Sequence, residues 1–220
     1  MASGKRSKAT LLLGVAFFFV LFSALGVWQL QRRAWKLALI ERVESRVHAP
    51  ASDSFAPDEE YRHVRLQGRF DPGHSLLAQA NTLLGPGHWV LTPLRLATGE
   101  QVLINRGFVP LDAKPAAAPA GELTVSGLLR LTEPGGSLLR KNEPALGRWY
   151  SRDVQAMAAQ LGLPLQPYFI DQDSHGAPED WPVGGLTVVH FPNNHLQYAI
   201  TWFALALLCA GAAAVIARHD

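Results

Sequence analysis

The residues best suited to chemistry in this chain stand at the border of an apolar run. In "PNNHLQYAITWFALALL" (Pro192–Leu208), His195 comes directly before a stretch without charge. A neutral imidazole at that position is a capable metal ligand; the alternatives are a helix cap and an anchor among lipid headgroups. Trp202 follows seven residues later, which on a helix is about 700° of rotation, so it lies within roughly 20° of His195 and about 10 Å deeper. The two side chains then share one face, and a tryptophan two turns into a span lies deep for the usual interfacial belt. Tyr198 and Ala199 flank the same stripe. Ala199 leaves room either for a flat ligand or for a closely packed helix. Arg32, Arg33 and Lys36 stand just past a second apolar run. Arginine suits paired contacts with a carboxylate, and snorkelling toward lipid phosphates is the competing use.

The elements that must position these groups are two membrane spans and a domain between them. Ala9–Gln31 has no charge in 23 residues and Leu196–Ala217 none in 22, where roughly 20 cross a hydrocarbon core. The first run is longer than the apolar region of a cleaved signal and leaves through Trp28, Gln29, Arg32 and Arg33, so it reads as a retained anchor. Two spans put both termini on one side; basic residues flank both ends of the first span, so charge gives only a weak orientation. Between the spans, "YRHVRLQGRF" (Tyr61–Phe70) places Val64, Leu66 and Phe70 on one face, and "GHWVLTPLRL", "EQVLINRGFVP", "ELTVSGLLRL" and "PYFID" continue a strand pattern. The expected fold is α+β: two transmembrane helices flanking an antiparallel, β-rich extracytoplasmic domain with one or two helices. Its divisions are 1–36, 37–192 and 193–220, with an acidic linker over His48–Glu60. "SRDVQAMAAQLG" predicts the soluble helix, capped by Ser151 and stopped by Gly162. Asn105, Arg106 and Gly107 fall where a strand is expected to turn, with Arg106 a structural or partner-docking side chain.

Composition narrows the function. With 48% apolar residues, a net charge of +2 and no clustered basic stripe, the chain is neither disordered nor a nucleic-acid binder. The single cysteine, Cys209, excludes an intrachain disulfide and a CxxC metal pair. No GxSxG, GxxxxGK[ST], strand-linked GxGxxG or HExxH pattern occurs. The carboxylates of "DEE" (Asp58–Glu60) and "DQD" (Asp171–Asp173) read as solvated loop residues, and the eight histidines form no i, i+4 pair on a helix. These patterns favour a non-enzymatic role.

"LGVWQLQRRAWK" leaving the first span and "NNHLQYAITWFALA" entering the second, with "LTPL", "INRGFVP", "NEPALGRWYSRD" and "WPVGG" between them, resemble the Surf1 (Shy1) family of cytochrome oxidase assembly proteins over Leu25 to about Ala206. In that family the strand block often carries tryptophan where this chain has Phe108, a swap that keeps an aromatic. The resemblance implies an assembly factor for a haem-copper oxidase that binds haem a and aids its insertion into catalytic subunit I, or a scaffold that holds an oxidase intermediate without haem. It implies His195 as the iron ligand, with Trp202 linked to the same site. Tyr198 then flanks the haem, and Arg32 and Arg33 stand available to its propionates; His190 is the substitute ligand should His195 only anchor the helix. Partners implied are oxidase subunit I, haem A synthase and the bilayer. Only Met1–Lys8 precede the first apolar run, so the expectation is a bacterial inner-membrane protein with both termini cytoplasmic rather than a mitochondrial precursor.

Overall fold

Strict alternation of apolar and polar residues shapes the first strand. In the computed structural model, which describes residues 2–137, 139–174, 181–187 and 191–218, β1 (His63–Phe70) buries Val64, Leu66, Gly68 and Phe70 while Arg65, Gln67 and Arg69 face out. β2 (Leu76–Thr82), β3 (Gly85–Leu96), β4 (Gln101–Pro110), β5 (Glu122–Leu131) and β6 (Leu165–Gln172) complete one sheet. Its order is β1-β5-β6-β4-β3-β2, and β1 also pairs with β3. The ring β1-β5-β6-β4-β3-β1 is thereby closed, which leaves fewer free edges than an open sheet. β2 lies along the part of β3 that β1 leaves unpaired.

All pairings between these six strands are antiparallel except one. β4 and β6 run parallel, with Leu103 opposite Phe169, Ile104 opposite Ile170 and Asn105 opposite Asp171. A parallel neighbour requires a crossover, and α2 (Val154–Leu161) lies within it. β4 is consequently covered on both faces and buried from Gln101 through Val109. Residues alternating along β4 and β6 serve two cores. Val102, Ile104, Tyr168 and Ile170 join Val64, Leu66, Phe70, Leu94, Val125 and Leu129 on one side. Leu103 and Phe169 join Ala78, Leu91, Trp149, Val154 and Met157 against α2 on the other. Each buried Val, Leu, Ile, Phe or Met side chain among them contributes about 1.5–3 kcal/mol.

Two local expectations are corrected. α2 is capped by Asp153, whose carboxylate accepts the Ala156 N–H at 3.1 Å; Ser151 is committed elsewhere, donating to the Glu133 carbonyl at 2.7 Å. Gly162 does end the helix in the left-handed conformation. Asn105–Gly107 is no turn but the interior of β4. Gly107 has φ +130° because the Val183 backbone passes where a Cβ would stand. Arg106, 5% exposed, donates to the carbonyls of Ala116 and Ala117 and lies over the Phe70 ring. It is a buried tether for the 110–121 loop, and burial lowers its pKa.

The chain divides into two compact units, the β unit Val43–Val189 and a unit formed by Met1–Arg42 with His190–Asp220. The latter carries α1 (Ala2–Val47) up to Arg42, and α3 (His195–Arg218). Both helices are long and apolar enough to cross a membrane, and little of either apolar stretch is buried. Leu13 is 72% exposed and Leu207 71% exposed, with Phe17, Val20, Ile200 and Leu208 similarly outward. Side chains of that kind find their solvent in lipid. The expected architecture of a β-rich domain flanked by two apolar helices is present, in a membrane protein.

Candidate functional site

α3 begins at the residue that chemistry singles out. The Asn194 carbonyl accepts the Tyr198 N–H at 3.3 Å, which makes His195 the first helical residue. From there His195, Ala199, Trp202 and Ala206 recur at three- and four-residue spacing as one partly to fully buried stripe. On α1, Phe22, Gly26, Gln29, Arg33 and Lys36 form the matching stripe. The two run antiparallel. Trp202 stacks on Phe22 at 5.7 Å between ring centroids and 25° between planes. Lys36 Nζ lies 5.0 Å from the Phe191 ring centre, and near the other end Lys8 Nζ donates to the Ala217 carbonyl at 3.4 Å. Gly26 is required for the fit, since a Cβ there would lie 2.6 Å from the Phe203 ring.

Between these contacts, His195 Nδ1 stands 2.8 Å from Gln29 Oε1. An amide oxygen only accepts, so this contact calls for a proton on Nδ1, and the tautomer that carries it there leaves Nε2 with a lone pair. A histidine in that state, with one nitrogen oriented by a hydrogen bond and the other able to ligate, is the arrangement found at metal centres. Among the described residues no group of three or more His, Cys, Asp or Glu is placed to hold a metal ion.

The remaining predicted site residues separate. Arg33, half-buried, lies one turn beyond Gln29 on the same stripe. Arg32 points away, exposed, with its guanidinium 4.2 Å from the Trp35 ring centre. Tyr198 is 55% exposed, off the stripe. Ala199 is 1% exposed, so of its two readings the packed helix holds. His190 lies outside the described residues. Gln29 was not singled out from the sequence as a site residue. The available signal was an amide two residues inside an uncharged run, a costly position unless partnered.

The β unit holds a second polar cluster, which overturns the reading of "DQD" as solvated. Asp171 is 5% exposed and takes hydrogen bonds from Asn105 at 2.7 Å, Thr187 at 2.9 Å, Arg152 at 3.0 Å and Arg130 at 3.1 Å. Burial alone would lower the Arg152 pKa, but Asp171 and Glu133 hold it above its ordinary value. Burial would likewise raise Glu133, and its hydrogen bonds and charge pairing with Arg152 hold it low instead. The cluster forms part of the wall of a cavity of about 500 Å³, with Trp89, Asn81 and Leu186 among its other lining residues. The parallel register of β4 and β6 puts Asn105 beside Asp171, so every lone pair of the carboxylate has a donor within reach.

A closed β sheet that falls in sequence between two apolar helices long enough to cross a membrane defines a membrane protein with a β-rich domain. Residues 16–207 match the SURF1 family, and the chain belongs to that family. It is 37% identical over 207 residues to Surfeit locus protein 1 of Mus musculus, covering 82% of this chain and 67% of that protein. To Surfeit locus protein 1 of Homo sapiens it is 35% identical over 209 residues, covering 83% and 69%. To the SURF1-like protein of Caenorhabditis elegans it is 33% identical over 218 residues, covering 84% and 67%.

Proposed function

We propose that this chain is an assembly factor for a haem-copper terminal oxidase of the cytochrome c oxidase type, which receives haem a as cargo, holds it at His195, and releases it to catalytic subunit I. The observation that carries the reading is the placement of His195: its Nδ1 is bonded to Gln29, and among the described residues its Nε2 has no partner. A lone protein ligand suits a metal that brings its other donors with it, as a porphyrin does. A position at the start of a span lets the macrocycle stay in lipid while its propionates reach water and Arg33. Trp202, two turns deeper with one ring face on Phe22, lines the route. The chain makes and breaks no substrate bond in this role. Haem A synthase is the source of the cargo, and the protein sits in a bacterial inner membrane with both termini cytoplasmic and the β unit outside.

A scaffold role without haem is the second reading, favoured by the close filling of the helix stripe at Ala199, Phe203 and Gly26. A deletion strain tests the assembly role: the amount of assembled oxidase falls while total haem a synthesis persists. Normal oxidase content in that strain contradicts both readings.

A further inference from the structure

Gln29 stands inside the uncharged run of α1, where an amide is costly without a partner. Among the described residues its hydrogen-bond partner is His195, 166 positions away in sequence. We propose that Gln29 is the positioning residue of the histidine ligand, selecting the Nδ1–H tautomer so that Nε2 faces the iron and tuning how strongly that nitrogen donates. The inference rests on the haem-carrier reading above. The acceptor is a neutral amide rather than a carboxylate. A carboxylate at this place would draw the Nδ1 proton, give the ring imidazolate character and favour ferric iron; an amide leaves a neutral imidazole of ordinary donor strength. A carrier has to release its cargo, and the weaker acceptor serves that need. α1 thus acts on the metal through α3, and the site needs both helices.

Opposite changes at Gln29 separate tuning from packing. Gln29→Leu removes the acceptor, and Gln29→Glu keeps the size and strengthens it. Haem a is added to the detergent-purified full chain, and both affinity and iron midpoint potential are read. Gln29→Leu is expected to bind ferric haem a about tenfold more weakly and to shift the midpoint upward. Gln29→Glu is expected to bind it more tightly and to shift the midpoint downward. Should the leucine variant fail to fold, the sign of the glutamate shift decides alone. Wild-type protein that takes up no haem a overturns the carrier reading and this inference with it. Wild-type protein that binds haem a, with both variants shifted the same way or with an unmoved midpoint, overturns the role of Gln29 alone.

Discussion

The helix pair and the barrel bury polar groups on opposite terms. In the barrel, Asp171 is surrounded by four donor residues on β4, β5, the approach to α2 and the 181–187 segment. Both carboxylate oxygens accept hydrogen bonds, and the cluster ties β4, β5, the approach to α2 and the 181–187 segment together. In the helix pair, one amide and one imidazole meet, and among the described residues the other imidazole nitrogen has no partner. The charge-rich cluster is the conspicuous one, but its hydrogen-bonding groups satisfy one another, which rigidifies the strands that carry them.

Removing one member of each region should have unequal consequences. The largest is expected for Asp171→Ala, which removes the most buried of the carboxylates that face the partly buried Arg130 and Arg152 and leaves them Glu133 and Glu60; with those partners kept, the cost is expected near the lower end for breaking a buried pair, about 3 kcal/mol. Denaturant unfolding of the full chain in detergent measures it, and a loss below about 1 kcal/mol would erase the contrast drawn above. Next is Gly26→Val, where the new side chain meets the Phe203 ring. Overpacking of this kind costs about 1–3 kcal/mol. Because Gln29 lies one turn away, haem a affinity should fall along with helix pairing, and unchanged affinity would show that the pairing is not needed for the site.

The smallest effect is a pH dependence within the barrel unit. His63 has Nδ1 2.9 Å from the Ala49 carbonyl and Nε2 2.8 Å from the Asp173 carboxylate, so only the doubly protonated ring satisfies both acceptors. Burial pulls its pKa down and Arg65 adds to that, but the bonds to Asp173 and Ala49 prevail and hold it above the ordinary value of 6.5. The clasp therefore contributes fully below about pH 6.5 and is lost as pH rises through the folded-state value. Stability of the wild type should decline slightly over that window and that of His63→Phe should not; parallel curves would show the clasp to be inert.

Much of this architecture was legible because it is written in local patterns. Uncharged runs announce spans, alternation announces β1, and apolar runs set off by turn residues announce β3, β4 and β5. β2 escaped notice because "LLAQANT" has no β-branched residue before its last position and buries Ala78 and Ala80 while Leu77 faces out. Asn105–Gly107 has turn composition, but the Val183 backbone beside Gly107 makes the glycine a packing necessity inside a strand. The partners of Asp171 lie 16 to 66 residues away, so "DQD" gave no local sign of burial. The site divides in the same manner. The family resemblance pointed to His195 and Trp202 and helical periodicity put them on one face, whereas Gln29 required knowledge of which residue of α1 faces which residue of α3.

The central claim is that His195 Nε2 ligates iron. Wild-type chain and His195→Ala, purified in detergent at matched protein levels, are titrated with haem a while the Soret band is followed. The account predicts saturable binding with a histidine-ligated spectrum in the wild type, and loss or a marked shift of that band in the variant, whose helix remains apolar and inserted. Equal haem occupancy with an unchanged Soret band in His195→Ala contradicts it.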